Sequence, residues 1–123
     1  MGNRACITIK QETGEPFHLY THWGADSLAE TLASALRKAK EAGRLTDSPY
    51  CTRIIFDELT GLTGSTTGYG IIAGDYPGDL AYEPLVVEWP QGYGEPIIYG
   101  AISRYDIGSG ATEFIEQLTG AQR

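Results

Sequence analysis

The sequence predicts an α+β fold: a mostly antiparallel five-stranded sheet in the order ββααβββα, with the helices packed on one face. Two alternating runs near the N-terminus flank a turn signal and read as a hairpin. Two helical patterns follow in succession, each with its own start and stop signals. The remainder is β-rich with turn-rich connections. It lacks the strand–helix–strand alternation of a parallel α/β sheet.

The first strand is residues 5–10, with Ile7 and Ile9 on one face and Thr8 and Lys10 on the other. Residues 12–16 are polar and contain Gly14 and Pro16, a turn signal. Residues 17–23 alternate again. Phe17, Leu19, Thr21 and Trp23 share the face predicted to meet the helices, and His18, Tyr20 and His22 share the outer face. The first helix begins at a capping box, Ser27 with Glu30, which satisfies two backbone donors at once. Leu28, Leu32, Ala35, Leu36 and Ala39 form its apolar stripe, and Arg37, Lys38 and Lys40 complement its dipole. Gly43 stops it.

A second helix starts near Asp47 or Ser48, with Pro49 suited to its first turn. Tyr50, Cys51, Ile54, Ile55 and Leu59 recur at helical spacing, and Gly61 ends the run. Residues 62–68 form a Gly/Thr/Ser connection. Residues 69–73, 85–89 and 96–102 are the later strands, and Pro84 suits a strand start or an edge. A short helix is predicted over 112–118. With no internal repeat and no linker, residues 1–123 read as one domain.

The chain carries a formal charge of −7, unevenly spread. Residues 1–53 hold seven basic and six acidic side chains, a net of +1; residues 54–123 hold two basic and ten acidic, a net of −8. An acidic chain repels phosphates, which argues against direct nucleic-acid binding. No apolar run approaches the roughly 20 residues of a membrane helix. The opening MGNRACITIK lacks the apolar core of a signal peptide, and Cys6 stands where a myristoylation signal needs Ser or Thr. Cys6 and Cys51 make no Cys-x-x-Cys pair and are expected as buried, reduced thiols.

Reactive constellations are few. His18 and His22 have the H-x-x-x-H spacing, but on a strand they lie about 13 Å apart, too far to share an ion, and they read as an exposed pair on the outer face of the sheet. The glycines of GLTGSTTGYG run from helix to strand without a Lys, unlike a phosphate loop. Asp75 and Asp79 flank YPG, which is ordinary turn chemistry and too sparse for a calcium loop. No nucleophile elbow or zinc-protease motif is present. No catalytic residue, metal or cofactor is assigned.

The opening MGNRA, the ITI strand and LYTHWG before a helix resemble small proteins of actinobacterial phages and prophages. Those proteins share an MGNRA-type start and a Tyr-x-His-Trp-x-Gly-like run at the end of the second strand. DSPYCTRIIFDEL and TGYGI resemble further segments of the same family. The resemblance implies a phage or prophage setting in the host-cell cytoplasm. It implies no reaction.

Six of the eight tyrosines lie in the acidic part of the chain. Tyrosine favours recognition surfaces because it offers contact area at low entropic cost. The leading expectation is a non-enzymatic accessory protein that binds a protein partner and inhibits or redirects a host factor. Its predicted surface is Asp75, Tyr76, Asp79, Tyr82, Glu83, Tyr93 and Glu95. A second reading is a small enzyme or small-molecule binder using Tyr20 and His22 on the outer sheet face. A third is a homo-oligomer, such as a homodimer, joined by an exposed apolar strand at residues 96–102.

Overall fold

A computed structural model describes residues 5–21, 28–61, 69–74, 85–90, 94–102 and 105–120. The elements are β1 (Ala5–Lys10), β2 (Phe17–Thr21), α1 (Leu28–Glu41), α2 (Ser48–Thr60), β3 (Tyr69–Ala73), β4 (Leu85–Glu88), β5 (Ile97–Ile102), β6 (Tyr105–Gly110) and α3 (Ala111–Gly120). The fold is the predicted α+β arrangement. All five predicted strands form, and β6 extends the sheet to the order β3-β2-β1-β4-β5-β6. β1 and β4 are parallel, and the other neighbouring pairs are antiparallel.

The register explains the core. Ile7 sits between Leu19 and Leu85, and Ile9 between Phe17 and Val87. Val87 in turn faces Ile98. These side chains, with Phe17 at the margin, meet Leu28, Leu32, Ala35, Leu36 and Ala39 of α1 in one apolar cluster. α1 packs against both α2 and α3, which contributes Phe114, Ile115 and Leu118. Area removed from water stabilises at roughly 25 cal/mol per Å², so this layer is the main source of stability.

Both long helices end as their glycines predict. Gly43 has φ 72, donates to the Lys40 carbonyl and lets Arg44 N–H reach the Ala39 carbonyl. Gly61 has φ 65 and donates to the Asp57 and Glu58 carbonyls. Trp89 is buried just past β4. Its indole N–H donates to the Leu45 carbonyl at 3.0 Å, and its backbone N–H donates to the Lys10 carbonyl at 2.9 Å. One residue thus ties the sheet to the α1–α2 connection.

Three expectations need correction. Tyr50 is 57% exposed, because the buried stripe of α2 runs through Ser48, Cys51, Thr52 and Ile55. Its ring instead takes the Arg44 guanidinium at 4.4 Å. His18 lies on the outer face as its alternation predicts, yet it is buried. Residues 96–102 do not form an exposed edge, since β5 pairs with β4 on one side and β6 on the other. β6, whose sequence YDIGSG has little strand character, forms by pairing along the whole of β5. His22, Trp23, Ser27, Pro84 and the connection at 62–68 lie outside the described residues.

Candidate functional site

The outer face of the sheet carries the polar chemistry. On β1 it presents Cys6, Thr8 and Lys10; on β2, His18 and Tyr20; on β4, Glu88; on β5, Tyr99. The hairpin register sets Thr8 directly opposite His18. The Thr8 hydroxyl and His18 Nδ1 are 2.9 Å apart, His18 Nε2 is 2.8 Å from the Gly74 carbonyl, and Cys6 Sγ is 3.7 Å from Thr8 Oγ1.

Hydrogen-bond capacity gives this chain a direction. A carbonyl only accepts, so Nε2 carries the proton and donates to Gly74. In the neutral ring Nδ1 then accepts from the Thr8 hydroxyl. Thr8 oxygen in turn accepts from the Cys6 thiol. Cys6, Thr8 and His18 are all buried, so each bond satisfies a group withdrawn from water.

The chain contains a thiol and an imidazole, but not as a nucleophile and its base. Thr8 stands between them. Burial pushes the Cys6 thiol up to about 11, against a smaller downward pull from Thr8. Burial, with the Asp47 carboxylate adding to it, pushes Cys51 up to about 12. Reactive cysteines need the thiolate, and neither residue has it near neutral pH. The cluster works as a clamp. It joins β1 to β2, and through His18 it holds Gly74, whose own N–H donates to the Pro16 carbonyl at 2.9 Å. Gly74 has φ 90, a conformation that favours glycine.

Tyr20 is half-buried across from Gly70. A Cβ on Gly70 would come within 2.5 Å of the Tyr20 ring, so the glycine is needed for the ring to lie there. His22, its predicted companion, is outside the described residues. Further along this face the Lys10 ammonium donates to Tyr99 Oη at 3.2 Å, and that hydroxyl donates to Glu88 at 2.7 Å. Burial raises the Tyr99 pKa, with the Glu88 acceptor acting in the same direction and Lys10 opposing. Lys10 and Glu88 face each other in register, which makes the trio a cross-strand bridge.

Of the predicted partner-binding residues, Glu95 is described. Its carboxylate accepts from Thr112 Oγ1 at 2.8 Å and from Thr112 N–H at 3.3 Å, holding the first turn of α3. Lys40 also donates to the Thr112 hydroxyl. Asp75, Tyr76, Asp79, Tyr82, Glu83 and Tyr93 lie outside the described residues. On the helix side, Lys38, Ile54, Asp57, Glu58 and Gly61 line an open depression of about 480 Å³. Glu58 there accepts from Lys38 and Ser34, and the Lys38 bond is the main cause of its lowered pKa.

Among the described residues no three His, Cys, Asp or Glu side chains gather as a metal site, and no helix is long and apolar enough to cross a membrane. The Cys6–Thr8–His18 chain went unread in the sequence. The signal was present: alternation places Cys6 and Thr8 on the outer face, and the hairpin sets Thr8 beside His18. Comparison with family models, curated proteins and solved structures returns no match to this chain.

Proposed function

We propose that this chain is a phage-type accessory protein that acts by binding another protein. Its contact residues are Asp75, Tyr76, Asp79, Tyr82, Glu83, Tyr93 and Glu95. The partner carries a basic surface, and binding inhibits or redirects it. A nucleic-acid-binding host protein fits that description, because an acidic face competes with phosphate for the same lysines and arginines.

The observation that carries this proposal is the clamp on Gly74. His18 holds its carbonyl and Pro16 receives its N–H, so the chain enters residues 75–83 from a fixed point. Those residues contribute three of the ten acidic groups of the second half. Further support is that, among the described residues, the polar groups of the outer face are bonded to one another and both thiols are buried. The test is a pull-down from host extract with wild type and with the triple variant Asp75→Lys, Asp79→Lys, Glu83→Lys. Loss of a specific retained protein, with the circular dichroism spectrum unchanged, supports the assignment. Equal retention by both proteins removes it.

A further inference from the structure

We propose that β3 is a self-association edge: it pairs antiparallel with β3 of a second copy of this chain, about a two-fold axis through Ile71. β3 ends the sheet. Ile71 is 57% exposed and Ile72 37%, and Ala73 is exposed beside them. Successive strand residues point to opposite faces, so this edge presents an isoleucine on each face. A helix or loop laid on one face would cover one of them. A strand added in the plane of the sheet covers both and also takes up the backbone row.

The strand itself carries no charge, proline or bulge. Residues 61–74 contain no Asp, Glu, Lys, Arg or His and no proline. Its five pairs with β2 run in continuous register, without a bulge. Such an edge is a template for another strand.

Size and charge select a second copy as the occupant. With the axis at Ile71, Tyr69 faces Ala73 of the other copy, Gly70 faces Ile72, and Ile71 faces Ile71. Each large side chain away from the axis meets a small one. The Tyr20 ring already lies over Gly70, so the incoming Ile72 meets an aromatic wall, a favourable cross-strand neighbour. Both copies carry −7, but no charge lies along the pairing strand. Repulsion is therefore long-range and is screened by salt. A five-residue strand buries less than the ~1,200 Å² of a standard stable interface, so the dimer is weak and concentration-dependent.

The salt response separates this edge from the acidic surface proposed above, because charge-driven partner binding weakens in salt whereas this association strengthens. Sedimentation velocity of the full chain over a wide concentration series, in low and high salt, tests it. The expected result is a dimer fraction that rises with concentration and with salt. Ile71→Lys places like charges across the axis and weakens the dimer about tenfold or more, while Ile97→Lys, at a site 43% exposed on β5, leaves it intact. Ile71→Cys provides an independent readout. Residues paired across antiparallel strands have Cα atoms about 4.5–5.5 Å apart, within the disulfide range of about 4.4–6.8 Å. Mild oxidation should therefore link Ile71→Cys into a covalent dimer and leave Ile97→Cys monomeric. A chain that stays monomeric at every concentration in high salt overturns the proposal. So does an Ile71→Lys variant that associates like wild type.

Discussion

The two faces of strands β1 and β2 reach the same degree of burial by different means. Towards the helices, Ile7, Ile9 and Leu19 are buried among aliphatic neighbours. Away from them, Cys6, Thr8 and His18 are buried as a hydrogen-bonded chain that ends on the Gly74 carbonyl. Apolar packing is non-directional and degrades with lost volume. A polar chain is directional: removing one member leaves its partners unsatisfied in a place water does not reach. The first face therefore tolerates volume-conserving exchange, and the second does not tolerate loss of a donor or acceptor.

The largest expected effect is on the apolar face. Ile9→Ala opens a cavity between Phe17, Val87 and α1 and should cost about 2–5 kcal/mol by urea unfolding. Ile9→Leu, of equal volume, should cost less than about 1.5 kcal/mol. On the polar face His18→Leu fills the space but orphans the Gly74 carbonyl and the Thr8 hydroxyl, with an expected cost of about 1–3 kcal/mol. Thr8→Val alone should cost about 1 kcal/mol, and much less when His18 is already Leu, because the shared bond is then gone. Additive behaviour in that double-mutant cycle would mean that the two side chains are not coupled.

Alkaline pH acts on both sides through the thiols. The folded state raises the Cys6 pKa from 9.0 to about 11 and that of Cys51 from 9.0 to about 12. Between these values the unfolded chain releases the thiol proton and the folded chain keeps it. Unfolding therefore becomes more favourable as pH rises, with full stability below about pH 9 and a loss that accumulates towards pH 11–12. Urea midpoints across this range should fall with pH, and less steeply for Cys51→Ala once its own cavity cost is subtracted. Thiol reagents at neutral pH should label the native chain slowly and the urea-unfolded chain at once. The smallest effect belongs to neither face. Lys38→Ala removes the exposed end of the pair with Glu58 and should shift stability by about 0.2–1 kcal/mol, decreasing with salt.

Much of the fold was legible in sequence because its signals are local. The α1 stripe is a period-3.6 pattern ended by Gly43, and the β1–β2 hairpin is a period-2 pattern around Gly14 and Pro16. What escaped depends on neighbours distant in the chain. Alternation put His18 on the outer face but could not say that it is buried there. β6 has little propensity of its own and owes its conformation to β5. Tyr50 fits the helical spacing of α2 but sits one step off the stripe that meets the core. Glu95 read as an acidic contact residue, and its bond to Thr112, 17 residues on, could not be seen in the sequence. β5 read as the exposed strand and β3 as ordinary, since strand order is a property of the whole sheet.

The contrast between the faces rests on His18 most directly, because it links the buried polar chain to the root of the acidic segment. Its tautomer is measurable by long-range ¹⁵N–¹H correlation of the imidazole in uniformly labelled protein. The expected spectrum shows a proton on Nε2, slow to exchange with solvent, and Nδ1 shifted as a hydrogen-bond acceptor. A ring protonated on Nδ1, or one whose Nε2 proton exchanges as fast as that of a free histidine, would contradict a closed, directional chain from Cys6 to Gly74.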